Sequence, residues 1–122
     1  MVEYSTAALD RVFSAVSDAT RRAILETLAK KPATITEIAT PFSVSLNAVS
    51  KHIMVLERAG LIRREVHGRE HLCSLEPQPL REATAWLEEY RRFWNVRLDA
   101  LEQYVARKAK TKKKGELHAR LH

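Results

Sequence analysis

The sequence is poor in cysteine and contains no long hydrophobic run. Its one cysteine, Cys73, excludes an internal disulfide, and a lone thiol is typical of a reducing compartment. Nowhere do 18 apolar residues follow one another, which argues against a membrane-spanning helix. The first nine residues lack a basic stretch followed by an apolar run. We therefore expect no signal peptide and a cytoplasmic protein.

The patterns that accompany catalysis are also missing. The chain has only three glycines and no glycine-rich loop that could hold a phosphate. It contains no spaced nucleophile, base and orienting residue, and no pair of acids of catalytic type. The sequence therefore predicts neither an enzyme nor a bound cofactor.

The net charge of +6 is distributed unevenly along the 122 residues. Residues 1–107 carry 15 basic and 14 acidic side chains, whereas residues 108–122 carry six basic and one acidic. The high isoelectric point thus comes from the end of the chain, and charge alone gives little indication of a nucleic-acid partner. The length fits one domain.

The first half of the chain has the periodicity and the capping residues of short helices. Apolar residues spaced by three and four predict a first helix from Ser5 or Thr6, and Asp18 is placed to cap a second helix that ends before Pro32. Thr34 and Glu37 match a capping box at the start of a short third helix. The apolar residues that define the first two helices are Leu9, Val12, Phe13, Val16, Ile24, Leu25 and Leu28.

A fourth helix follows the third after a tight turn. Pro41 limits the third helix, Ser45 is a good cap for the fourth, and Gly60 closes the fourth in the position that favours a left-handed backbone. One face of this helix carries apolar residues at helical spacing: Val49, Ile53 and Leu56.

The second half predicts a β-hairpin and one long helix. Residues 61–66 and 70–75 alternate like two strands around a tip at residues 67–69. After Pro77 and Pro79, a seven-residue apolar repeat predicts a final helix of about 27 residues, longer than the preceding body can cover. Residues 108–122 lack apolar periodicity, and we expect them to be a basic, disordered tail.

This order of elements predicts a mainly α fold with a small β-hairpin, namely a winged helix-turn-helix domain over residues 1–107. In such a domain the second helix of the motif enters the major groove of duplex DNA, and the hairpin reaches along the backbone. The fourth helix presents short polar, amide and basic side chains on its outer face. The predicted DNA-binding residues are Ser45, Asn47, Ser50, Lys51, His52, Met54, Arg64, His67 and Arg69.

Residues 45–62 resemble the recognition helix of ArsR/SmtB-type repressors, and residues 18–25 resemble the second-helix signature of that family. The similarity spans residues 7–105. It implies a winged-helix homodimer that is joined through its first and last helices, binds a palindromic operator in double-stranded DNA and represses transcription. The expected dimer-interface residues are Leu9, Phe13, Leu87, Tyr90, Trp94, Leu98, Leu101 and Val105.

The chain departs from the metal-sensing members of that family. Thr34 and Thr36 occupy the positions that correspond to a third-helix Cys-x-Cys, and residues 79–107 contain neither histidine nor cysteine. The remaining cluster of soft ligands, His67, His71 and Cys73, lies at the hairpin and lacks a matching fourth residue. We therefore predict no metal site, and the sequence leaves any small-molecule effector unknown.

Several alternatives remain open at the level of sequence. His52 could contact DNA or be a half-buried structural histidine that is hydrogen-bonded to a carbonyl. The lysines of the tail could bind phosphates or only improve solubility. A winged helix could also serve a protein or RNA partner. Five aromatic residues of the last helix could line an effector pocket or supply interface area: Trp86, Tyr90, Phe93, Trp94 and Tyr104.

Overall fold

The computed structural model describes residues 6–120, with side chains through residue 112. Within these residues the chain forms five helices and three short strands, as in a winged helix-turn-helix, which confirms the predicted fold class. The elements are α1 (Thr6–Val16), α2 (Ala19–Lys30), β1 (Ala33–Thr34), α3 (Ile35–Ala39), α4 (Leu46–Arg58), β2 (Ile62–His67), β3 (Glu70–Leu75) and α5 (Gln78–Arg120).

The three predicted N-caps are confirmed. The side chains of Asp18, Thr34 and Ser45 each accept a hydrogen bond from the backbone N–H three residues later, over 3.0–3.2 Å. At α3 the capping box is complete, because the Glu37 carboxylate accepts hydrogen bonds from the hydroxyl and the backbone N–H of Thr34. These hydrogen bonds lower the pKa of Glu37. The caps fix where the helices begin, which the helix propensities of the residues alone would not determine.

The wing is part of a three-stranded antiparallel sheet with the strand order β1-β3-β2. The hairpin β2–β3 was predicted, but the short strand β1 was not; Ala33 pairs with Cys73 in the sheet. Gly68 begins the turn between β2 and β3 with a φ of 61°. A positive φ at the first turn residue fits a type II′ hairpin, whose twist matches that of the strands. Gly60, with a φ of 75°, ends α4 as expected.

The core is formed by the inner faces of α2, α3 and α4, which pack with the sheet and with α1. Val49, Ile53 and Leu56 of α4 are 0 % exposed. A contiguous cluster joins them to apolar residues of the neighbouring elements: Ala15, Ile24, Leu25, Leu28, Ala33, Ile38, Leu61, Ile62 and Cys73. Because the inner face of α4 is fully buried, its opposite face must point outward.

α5 is longer than the sequence predicted. It extends over 43 residues, and the backbone of the basic segment is helical to Arg120, where we expected disorder from residue 108. Alanine and lysine favour helix, so a helix that has already started continues through this segment. Pro79 is tolerated because it lies in the first turn, whose N–H groups have no partner within the helix. The side chains of residues 113–122 lie outside the described part.

The described chain divides into two compact units, with the boundary between Ala85 and Trp86. The first unit contains the helix-turn-helix, the wing and the start of α5, and the second consists of the rest of α5. None of the helices within the described residues is long and apolar enough to cross a membrane.

The capping box of α3 gives the first testable prediction. We expect Thr34→Val to lower the free energy of unfolding by about 1 kcal/mol, because the side-chain oxygen that accepts from the Glu37 N–H is lost. Thr36→Val is the matched control: it removes an exposed threonine hydroxyl from the same helix and should change the stability by less than about 0.5 kcal/mol. Urea unfolding of both variants measures the difference.

The effect of Thr34→Val should also depend on pH. The pKa of Glu37 is lower in the folded protein than its ordinary value of 4.5, so its contribution is present above that pH and is lost as the pH falls through the lower folded value. The destabilisation should therefore be largest near neutral pH and should shrink in acid. Equal destabilisation by the two valine variants would contradict this account of the cap.

Candidate nucleic-acid interface

α4 presents a polar and apolar outer face opposite to its buried one. Its first turn is fixed by Ser45, whose hydroxyl oxygen accepts from the Ala48 N–H and leaves the hydroxyl proton available to a phosphate. Asn47, Lys51 and Met54 are exposed, and Ser50 is half-buried beside them. At about 100° per residue, Asn47, Ser50, Lys51 and Met54 lie within less than half of the helix circumference. The predicted α4 residues other than His52 are thus brought to one surface.

His52 lies on another side of α4, toward the start of α2. Its side chain is 26 % exposed, and its Nδ1 lies 3.3 Å from a guanidinium nitrogen of Arg21 and 3.9 Å from the Asp18 carboxylate. A guanidinium can only donate, so in this contact Nδ1 is the acceptor. The geometry favours the alternative of a half-buried structural histidine, although its partner is an arginine and not a carbonyl.

Arg21 and Arg22 hold the C-terminal end of α1. The Nε and Nη2 atoms of Arg21 donate to the carbonyls of Ala15 and Ser14 at 2.7 and 3.0 Å, and Arg22 donates to the Val16 carbonyl at 2.8 Å. The last carbonyls of a helix lack partners within it, and a cation near them also interacts favourably with the negative end of the helix dipole. Sequence reasoning missed this role, for which the signal is an arginine pair in the first turn of the following helix.

Arg64 was predicted to bind DNA, but the structure turns its side chain inward. The side chain is only 19 % exposed, and its guanidinium donates to Glu57 of α4 at 3.1 Å. Another of its nitrogens lies 3.3 Å from Nδ1 of His71 on β3. One side chain of β2 thereby connects the last turn of α4 with the neighbouring strand, which favours a positioning role for Arg64.

The tip of the wing keeps its predicted residues exposed. Arg69 lies in the turn, and His67 at the end of β2 has its Nε2 3.3 Å from the Glu65 carboxylate. Arg63 is also exposed and is placed between Glu65 and Glu76, at 4.0 and 3.6 Å. Of these side chains, Arg69 is best placed to meet a phosphate.

A cleft of about 540 Å³ lies between α3, the start of α4 and the wing. Polar residues of all three elements line it, together with the apolar Ile35 and Leu46. It therefore offers hydrogen-bonding groups and charges of both signs to a ligand that passes between α4 and the wing. Its lining residues are Thr34, Ile35, Thr36, Glu37, Leu46, Ser50, Arg64, Arg69, Glu70 and His71.

The soft ligands that the sequence places at the hairpin have other surroundings in the structure. Nε2 of His67 lies 3.3 Å from the Glu65 carboxylate, Nδ1 of His71 faces Arg64, and Cys73 is fully buried. Thr34, where metal-sensing relatives carry cysteine, caps α3. Burial raises the pKa of the Cys73 thiol, which disfavours the thiolate that a metal requires. No group of three or more His, Cys, Asp or Glu side chains that could hold a metal occurs in the described part of the chain.

The residues expected at a dimer interface differ in exposure. Leu9 and Phe13 of α1 are half-buried. The six residues of α5, from Leu87 to Val105, are 45–57 % exposed. Four of the aromatic residues of α5 contact one another along the helix: Trp86 and Tyr90 stack with their ring centres 5.3 Å apart, and Phe93 and Trp94 meet edge to face at 6.3 Å. Tyr104 instead lies under the Lys108 ammonium.

Comparison with known proteins agrees with this geometry. A family model described as a helix-turn-helix domain matches residues 16–65, which include α2, α3, α4 and most of β2. The HTH-type transcriptional regulator Rv2034 of Mycobacterium tuberculosis is 36 % identical over 96 residues, which cover 79 % of this chain and 87 % of that protein. The transcriptional repressor SdpR of Bacillus subtilis is 33 % identical over 79 residues, covering 65 % of this chain and 88 % of the repressor.

A solved crystal structure described as that of an ArsR family transcriptional regulator is 40 % identical and superposes with a TM-score of 0.72. The match covers 78 % of this chain and 97 % of that one. This chain belongs to the ArsR family. The resemblance of residues 18–25 and 45–62 to that family is thereby confirmed, and the protein is a transcriptional regulator with a helix-turn-helix DNA-binding domain.

In this ArsR family protein, the contacts of Arg64 predict that replacing it lowers the stability of the fold but removes no phosphate contact. Arg64→Met should lower the free energy of unfolding by about 1–2 kcal/mol, because Glu57 loses a charged hydrogen-bond partner. The slope of log affinity for duplex DNA against log salt should stay unchanged. Lys51→Met should do the reverse, with little effect on stability and a slope that is smaller by about 0.9.

Thermal or urea unfolding and a salt titration of duplex binding measure the two effects on the same proteins. A smaller salt slope for Arg64→Met would show that the guanidinium reaches a phosphate and would contradict the positioning role.

Proposed function

We propose that the protein is a repressor that binds a palindromic operator as a homodimer, with α4 in the major groove. The observation that carries this proposal is the outer face of α4, where Asn47, Ser50 and Lys51 project from a helix whose other face is fully buried. The major groove is about 12 Å wide and admits such a helix. An asparagine amide can pair with the edge of adenine, and a lysine can neutralise a phosphate or reach guanine.

Ser45 and the wing would fix the register of the helix on DNA. The Ser45 hydroxyl at the start of α4 and Arg69 at the hairpin tip are exposed, and both are suited to phosphate oxygens. His67 lies near the same tip. Such contacts position the protein without reading sequence. The lysines after residue 107 would add affinity that decreases with salt.

The exposed apolar row of α5 supports a homodimer. Its six residues from Leu87 to Val105 share one side of the helix, and a contiguous apolar stripe of this length in water favours a partner. A second copy of the same stripe is self-complementary about a twofold axis. We propose that Leu9 and Phe13 of α1 contribute to the same association. Two copies of α4 related by a twofold axis would read an inverted repeat.

Repression, in place of activation, is supported by the Bacillus subtilis relative, which is named as a repressor. A dimer that occupies an operator near a promoter can exclude the polymerase without any catalytic step. We therefore infer that the protein acts by binding alone and works in the cytoplasm, where its thiol stays reduced.

The proposal predicts that Asn47 reads sequence. An inverted-repeat duplex can be recovered from a random pool with the wild-type protein and compared with a scrambled duplex. Asn47→Ala should weaken binding to the recovered duplex by about 1–3 kcal/mol and should weaken binding to the scrambled one much less. Gln103→Ala, which removes an exposed amide from α5, is the control and should change neither affinity. Equal losses on both duplexes would make Asn47 a positioning residue.

The proposed dimer interface can be tested by introducing a carboxylate on either side of α5. Leu101→Glu places a carboxylate in the apolar row, and burial of that charge between two copies should yield monomers. Val96 is 70 % exposed and lies on the other side of the helix, so Val96→Glu should remain dimeric. Light scattering after size separation gives the mass of each protein. A monomeric wild type at micromolar concentration, or dimers of both variants, would contradict the proposed interface.

A further inference from the structure

The exposed large apolar side chains of the first unit are confined to one part of its surface. Among its described residues they are Val44 in the turn before α4, Leu46 and Met54 on α4, and Val66 on the wing, and each residue is 42–60 % exposed. Single exposed apolar residues are common on proteins and need no explanation. Here, however, all four lie on the helix-turn-helix and its wing, and none lies on α1 or α2.

Leu46 and Met54 share the outer face of α4 with its hydrogen-bonding residues. At about 100° per residue, Leu46, Ser50 and Met54 form one row, and Asn47 and Lys51 form a second row beside it. Leu46 is 53 % exposed and contributes to the cleft between α3, α4 and the wing. The surface that would face DNA therefore combines amide, hydroxyl and ammonium groups with two large apolar groups.

The charge on this face favours nucleic acid over a protein partner. Lys51 and Arg58 are exposed on α4, whereas its one carboxylate, Glu57, is bound by Arg64. A helix face that carries two exposed cations and whose one carboxylate is paired suits a polyanion. The major groove of duplex DNA contains one kind of apolar group, the C5-methyl of thymine.

We propose that Leu46 and Met54 read thymine methyl groups, so that the operator half-site contains A·T pairs beneath the first three turns of α4. The proposal rests on the proposed function. It is consistent with Asn47 on the same face, because an asparagine amide pairs with adenine and the thymine of that pair presents its methyl group in the same groove. Burial of a methyl group against an apolar side chain favours binding by about fourfold.

The test removes the methyl groups from the DNA and not only the side chains from the protein. A duplex is first recovered from a random pool with the full-length wild-type protein and is then synthesised with thymine or with uracil, which lacks the C5-methyl. Wild type should bind the uracil duplex about fourfold more weakly for each contacted methyl. Leu46→Ala and Met54→Ala should each reduce this thymine-to-uracil ratio toward one. Val96→Ala, which shortens an exposed apolar side chain of α5, should leave the ratio as in wild type.

The outcomes separate the two proposals. If no duplex is enriched, the proposed function fails and this inference fails with it. If a duplex is enriched but thymine and uracil versions bind equally, or if both alanine variants keep the wild-type ratio, DNA binding stands and methyl reading is overturned. A change of oligomeric state in the alanine variants, with an unchanged ratio, would likewise assign these side chains to a protein contact. Circular dichroism checks that each variant is folded, and Met54→Leu should restore the ratio that Met54→Ala loses.

Discussion

The burial of one face of α4 is the constraint on which the rest of the structure depends. Val49, Ile53 and Leu56 are completely buried, and their transfer out of water contributes about 1.5–3 kcal/mol for each side chain. Rotation of α4 about its axis would expose them, so the outer face is fixed as firmly as the core itself. The exposed Asn47, Lys51 and Met54 are therefore presented in one orientation by the burial of the opposite face.

Three arginines stabilise the packing of the helices around α4. Arg21 and Arg22 connect the start of α2 to the last carbonyls of α1, and Arg64 connects the wing to the end of α4. Each of these cations is held by groups of the protein, so a basic side chain near the helix-turn-helix is not by itself a DNA contact. We therefore propose that phosphates are met by exposed cations that are not held in this way, in particular Lys51 and Arg69.

The sequence predicted most of the fold because its signals are local. Asp18, Ser45 and Gly60 mark helix ends through hydrogen bonds and backbone preferences within a few residues, and the structure confirms each of them. What depends on distant neighbours was not predicted. The strand β1 requires pairing with β3, and the inward turn of Arg64 requires Glu57 to be near. The helix through the basic segment was missed because apolar periodicity reports burial, whereas an exposed helix needs only favourable propensity.

The central claim is that the outer face of α4 and the tip of the wing meet duplex DNA. The most direct measurement is a titration of the ¹⁵N-labelled full-length protein with a duplex recovered by selection, followed through the backbone amide shifts. The account predicts the largest changes at residues 45–54 and at Gly68 and Arg69, with small changes on α2. Large changes confined to α1 and α5, with α4 unaffected, would contradict it.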